Sequence, residues 1–166
     1  LAICGLGGSN AGKDAVQNNV LASNYFNFYQ AKNMRQTAIS LAADEIELGR
    51  LTDPALPEAA RAALQKKLAD YRATIQRYES EPSTNEGKKE LLVRAKTHEE
   101  IRDRALKQDP YFDYAEALLQ IAIVLISVSI IASLPWLAFF GGGLGLIGAV
   151  LTVNGFLLLV EIPGLG

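Results

Sequence analysis

The chain contains very few of the residues that usually build covalent or catalytic sites. Among its 166 residues it has one cysteine, one histidine and one tryptophan. The single cysteine, Cys4, excludes an intrachain disulfide framework and a zinc site built on cysteines. A net charge of −2 provides no basic excess, so nucleic acid is not an expected partner. No nucleophile, base and orienting group converge, so we predict no enzyme, no catalytic residues, no cofactor and no metal.

Charge is absent from a long part of the chain. All 16 Lys and Arg lie between Lys13 and Lys107, and Ala117 to Val160 is an uncharged run of 44 residues. A bilayer's hydrocarbon core takes about 20 helical residues, so this run is long enough for two spans. Pro135 divides it. We therefore predict transmembrane helices over residues 109–134 and 136–160 and a short tail over residues 161–166, with the lipid bilayer as a partner.

The chain opens on an apolar stretch, residues 1–6, that is too short to cross a membrane. We expect residues 1–12 to be the end of a truncated first transmembrane helix.

The charged middle, residues 13–108, is rich in good helix formers. We predict an outgoing leg over residues 13–51, a break at Pro54 and Pro57, and a returning leg over residues 57–80 and 88–108. Asp109 and Pro110 indicate a new helix start, with aspartate as the cap. The predicted fold is all-α: a membrane protein with a long, two-legged, coiled-coil-like helical hairpin between transmembrane helices.

The outgoing leg has apolar residues on two sides. Met34, Leu41 and Leu48 recur every seven residues, opposite the main apolar stripe. A single returning leg covers only one side, so this second stripe is the candidate oligomer face. It predicts a homo-oligomer, with a larger membrane complex as the alternative partner.

Each predicted C-terminal span carries a periodic stripe. Small residues on the last span favour close helix packing, either within the hairpin against Ala115, Ala122 and Ser129 or against a partner copy: Gly141, Gly145, Gly148, Thr152 and Gly155. The preceding span carries a candidate polar membrane stripe: Asp109, Asp113, Glu116, Gln120 and Ser127. An ion entrance would have this pattern, and so would a helix terminus with ordinary interhelical hydrogen bonds.

Two glycine motifs resemble nucleotide-binding loops. Residues 7–13 match a phosphate-binding loop except that Asp14 replaces the Ser or Thr that binds magnesium. Residues 143–148 match a dinucleotide fingerprint within an apolar span. Neither motif follows a predicted strand, so we do not expect either to bind nucleotide.

Several segments resemble the bacterial domain-of-unknown-function family 4337. The resemblance lies in residues 28–33, 68–72, 76–79 and 87–92, and above all in the run from Asp109 to Leu125. It implies an N-terminal membrane helix, a charged helical middle and two C-terminal membrane helices. It implies no activity.

We therefore expect a self-associating structural or scaffold protein. The alternatives are an accessory subunit of a larger membrane complex and a small-solute or ion transporter. Basic residues flank the predicted spans on the side of the helical middle, whereas the loop at Pro135 is uncharged. By the positive-inside rule, this places the helical domain on the cytoplasmic side of the bacterial inner membrane.

Overall fold

The computed structural model describes residues 1–52 and 56–162 and contains four helices there. They are α1 (Ala2–Thr52), α2 (Glu58–Glu79), α3 (Lys88–Ala132) and α4 (Pro135–Leu157). The described chain has no β-strand, in agreement with the predicted all-α class. Pro54 and the last four residues of the predicted tail, 163–166, lie outside the described residues.

The chain divides into two compact units. The first comprises Leu1–Asn19 together with the chain from Glu99 onward, and the second comprises Val20–His98. Two helices, α3 and α4, are long and apolar enough to cross a membrane. Their apolar parts lie in the first unit.

Residues 1–12 and residues 13–51 belong to one continuous helix, because α1 runs from Ala2 to Thr52. One predicted helix boundary is wrong. No helix starts at Asp109, because α3 continues through Pro110. A proline in a helix interior costs about 3 kcal/mol. Burial of Tyr111 and Phe112, each 2% exposed, offsets a cost of that size.

The last helix ends three residues earlier than the predicted boundary at residue 160. Leu158, with φ 48°, adopts the left-handed conformation and terminates α4. At the other end, Pro135 begins the helix, where its missing N–H group costs nothing. The Ser129 hydroxyl donates to the Leu134 carbonyl at 2.8 Å and so ties the end of α3 to the start of α4.

In the second unit, α2 and the beginning of α3 both pack along α1. The Gln36 side chain donates to the Ile75 carbonyl at 3.0 Å, which joins α1 to α2. The Tyr25 ring stacks on His98, with centroids 5.5 Å apart, which joins α1 to α3. These contacts hold three helical segments together within the second unit.

Candidate functional site

The small-residue stripe of α4 faces α3. A Cβ added at Gly148 would lie 2.9 Å from Leu119 and 3.1 Å from the Ala115 carbonyl oxygen. A Cβ at Gly141 would lie 3.1 Å from the Ala122 carbonyl. Ala115 and Ala122 are buried, and so is Ser129. Of the two packing arrangements left open by the sequence, the described contacts place the stripe against the chain's own α3.

Phe112 joins three helices of the first unit. A Cβ at Gly7 of α1 would lie 2.5 Å from its ring, and one at Gly155 of α4 would lie 2.9 Å from it. The ring also packs edge-on against Phe156, with centroids 4.8 Å apart. The Cys4 thiol donates to the Phe112 carbonyl at 3.0 Å. Glycine therefore provides the space for this aromatic ring on two neighbouring helices.

A polar cap closes the C-terminal end of α4. The Asn154 side chain donates to the Val160 carbonyl at 2.8 Å and accepts from the Val160 amide at 3.0 Å. The Tyr111 hydroxyl donates to the same carbonyl at 3.1 Å and accepts from the Ile162 amide at 2.8 Å. Sequence reasoning missed this cap. The available signal was a single asparagine near the end of an uncharged run.

An ion pair lies beside this cap. Lys107 and Glu161 are 2.8 Å apart. Hydrogen bonding to Lys107 lowers the pKa of Glu161, and the same bond raises the pKa of Lys107. Both groups are largely exposed, so the pair contributes little to stability.

The polar stripe of α3 is only partly connected. The Gln120 amide donates to the Glu116 carboxylate at 3.1 Å. Ser127 donates to the Ile123 carbonyl of its own helix at 2.7 Å. Asp109 is partly buried and Asp113 is exposed. No chain of contacts among the described residues continues the stripe beyond Ser127.

The two nucleotide-like motifs are helical. Residues 7–13 belong to α1 and residues 143–148 belong to α4. Their backbone N–H groups serve helical hydrogen bonds, whereas a phosphate-binding loop directs free N–H groups at the ligand. Nor do the described residues contain a group of three His, Cys, Asp or Glu that could hold a metal ion.

The candidate oligomer face is exposed. Met34, Leu41 and Leu48 are 70%, 59% and 62% exposed. On the opposite side of α1, Ala43 is buried and Ile39 is half-buried. Two residues of this face, Leu41 and Leu48, line an open groove together with Leu51 and acidic side chains.

Two lysines hold the turn between α2 and α3, residues 80–87, against the middle of α1. Lys32 is 6% exposed. Its ammonium lies 3.9 Å from both Glu81 and Glu86 and over the rings of Phe28 and Tyr78. Lysine is rarely buried unless it is paired, and here both carboxylates and aromatic faces surround it.

Lys88 makes the second set of contacts at this turn. It donates to Gln36 at 2.6 Å and to Asn33 at 3.0 Å, and it lies 3.1 Å from the Glu79 carboxylate. Hydrogen bonds from Lys88 and Gln36 lower the pKa of Glu79.

Glu90 also stabilises this turn, because its carboxylate accepts hydrogen bonds from one backbone amide and one side chain of the turn. Its carboxylate accepts from the Ser80 hydroxyl at 2.6 Å and from the Glu81 amide at 3.1 Å. These two bonds lower the pKa of Glu90. The turn is therefore held by ionised carboxylates as well as by the two lysines.

Comparison with known proteins identifies one family. No curated protein and no solved structure matches the chain. The model of a domain of unknown function, DUF4337, matches residues 1–158. This match covers nearly the whole sequence, including both helices that are apolar enough to span a membrane. The chain therefore belongs to the DUF4337 family.

Proposed function

We propose that this is an integral membrane protein in which the apolar part of α3 and all of α4 cross the bilayer. The support is the exposure of these helices. Within the most apolar 18-residue segments of α3 and α4, only 17% and 11% are buried. The core helix of a soluble protein is mostly buried. Ile131 and Phe139 are 85% and 82% exposed. Apolar surface on this scale needs a hydrocarbon environment.

Alkaline carbonate extraction of membranes tests this insertion. We expect the protein to stay in the pellet. Release into the supernatant would show a peripheral protein and would overturn the proposal. A soluble protein tethered to the same membranes by a lipid-binding domain serves as the released control.

The proposed location is the bacterial inner membrane, with Val20–His98 on the cytoplasmic side. The basic residues that flank the predicted spans support this orientation. A cysteine introduced at Trp136 should react with an impermeant maleimide in intact cells, and one at Lys66 should react only after lysis. The opposite pattern would invert the topology.

Within that membrane we propose that the protein acts as a self-associating scaffold. One observation carries this proposal: the stripe of Met34, Leu41 and Leu48 is exposed while the opposite side of α1 is covered by the chain itself. A water-exposed apolar stripe of this length is usually buried against a partner. A second copy is the favoured partner because symmetric homo-oligomers are the commonest assemblies.

Mass determination in detergent tests the scaffold proposal. Wild type should be a uniform oligomer, and Leu41→Glu with Leu48→Glu should shift it to monomer. The control is Val93→Glu, which is compared with the single variants Leu41→Glu and Leu48→Glu because each adds one charge at a similarly exposed apolar residue. A monomeric wild type, or equal dissociation by Val93→Glu, would contradict the proposed face.

The same preparations distinguish the alternatives. A wild type that is monomeric alone but copurifies with one membrane complex would be an accessory subunit. A monomer whose ion flux in proteoliposomes is lost in Glu116→Gln would be a transporter. The interrupted polar stripe does not favour this last function.

A further inference from the structure

An apolar groove lies along the C-terminal half of α4. Leu146, Val150 and Val153 of the helix form its floor. The chain reverses direction at Leu158, and the residues that follow, including Leu159 and Ile162, form a wall of the groove. The groove thus combines a helix face with a non-helical segment, both within the first unit.

The wall is held in place by the polar cap. Asn154 binds both backbone groups of Val160, and the Tyr111 hydroxyl binds the Val160 carbonyl and the Ile162 amide. Asn154 is the one polar side chain among the described residues that line the groove, and Val160 engages both ends of its amide. The groove therefore offers hydrocarbon surface and no polar group for a polar ligand.

The length and position of the groove indicate which hydrocarbon it fits. The helical part of the groove, from Leu146 to Asn154, rises about 12 Å, which lies within the roughly 15 Å depth of one leaflet of a bilayer's hydrocarbon core. One lipid acyl chain fills one leaflet and is therefore long enough to cover the whole groove. At the cap end of the groove lie the Lys107 and Glu161 ion pair and Gln108, whose amide donates to the Phe156 carbonyl at 3.2 Å. Charged and polar groups at one end and apolar groups along the rest match the layering of a lipid leaflet.

We propose that this groove binds one acyl chain of a membrane phospholipid, with the lipid headgroup at the level of Lys107. The inference rests on the proposed insertion of α4 in the bilayer. The inference adds that one lipid binds at a defined groove, whereas any membrane helix makes only transient contacts with bulk lipid.

Photocrosslinking tests the proposal. The full-length protein is reconstituted into phosphatidylcholine vesicles that contain a small fraction of phosphatidylcholine with a diazirine on its acyl chain. Crosslinked residues are mapped by mass spectrometry. The variants are Val150→Trp, which fills the groove, and Val124→Trp, a control on α3. The two valines are equally exposed, at 59% each.

We expect labelling of the groove residues to exceed that of Ile130 and Ile131 severalfold, although both isoleucines are more exposed than Val150. Val150→Trp should remove this excess, and Val124→Trp should preserve it. Even labelling of all exposed apolar residues, or a protein-to-protein crosslink at the groove in place of lipid, would overturn the inference while leaving membrane insertion intact. Release of the protein by carbonate, without lipid labelling, would overturn the proposed insertion itself.

Discussion

The two units of the chain use different interactions to hold helices together. In the first unit, α3 and α4 meet through glycine and alanine, and most large apolar side chains point outward. In the second unit the outer surface is rich in charge, and a buried lysine lies between the helices. This difference is the one expected if lipid surrounds the first unit and water surrounds the second, as proposed above.

In lipid, burying an apolar side chain between helices gains little free energy, because lipid tails are as apolar as leucine. Close backbone approach then supplies dispersion contacts, and small residues permit that approach. In water, burial of apolar side chains is itself favourable. The second unit therefore buries Leu68 and Leu91 and can place charges around its turn.

The largest expected effect comes from removing the small residues of the first unit. Gly148→Leu would place a side chain where a Cβ already lies 2.9 Å from Leu119 and 3.1 Å from a backbone oxygen. Overpacking of this kind costs about 1–3 kcal/mol or more. We expect a lower melting temperature in detergent, measured by circular dichroism, and weaker protection of α4 from hydrogen exchange.

The matched control for this substitution is Gly143→Leu on the same helix. A Cβ at Gly143 has no neighbour within 4 Å. Leucine is also the better helix former, so this variant should be neutral or slightly stabilising. Equal destabilisation by both variants would show that the close approach at Gly148 does not set the stability of the first unit.

The second prediction concerns the buried cation of the second unit. Lys32→Ala removes the contacts of its ammonium with Glu81, Glu86, Phe28 and Tyr78. Loss of a largely desolvated cation contact is worth about 2 kcal/mol. We expect a lower free energy of unfolding, with the earliest loss of hydrogen-exchange protection at the turn.

Arg35→Ala is the control, because Arg35 is an exposed cation on the same helix. It should change the free energy of unfolding by less than about 0.5 kcal/mol, as most exposed substitutions do. If Lys32→Ala were equally silent, apolar packing alone would account for the second unit, and the contrast between the units would weaken.

Much of the helical architecture was predictable, because periodicity depends on sequence alone. The stripe from Gly141 to Gly155 follows from spacing of three and four residues, whereas its packing against Ala115 and Ala122 was one of two arrangements that the spacing left open. The continuity of α3 through Pro110 was not predictable. Proline disfavours a helix interior locally, and the tertiary packing of Tyr111 and Phe112 outweighs that preference.

The polar contacts were the least predictable part of the candidate sites. In the sequence, a lysine within an apolar stripe indicates a break in the buried face of the helix, unless the carboxylates that pair with it are known. The carboxylates beside Lys32 belong to Glu81 and Glu86, which are 49 and 54 residues away in the chain. Asn154 likewise gives no sign that its partner is the backbone of Val160, since no side-chain pattern encodes a backbone partner.

The smallest expected effect is a dependence of the second unit on pH. The pKa values of Glu79 and Glu90 are lowered from their ordinary value of 4.5 by hydrogen bonds at the turn. Their contribution to the stability of the turn is therefore fully present above about pH 4.5 and is lost as the pH falls through the lowered native values.

Hydrogen exchange of the amides of residues 80–90, corrected for intrinsic rates, should show protection falling with acid in this window. Glu79→Gln with Glu90→Gln should weaken protection at neutral pH and flatten its acid dependence, whereas Glu100→Gln, an exposed carboxylate of α3, should leave both unchanged. An unaltered acid profile in the double variant would mean that apolar packing and the two lysines hold the turn without these carboxylates.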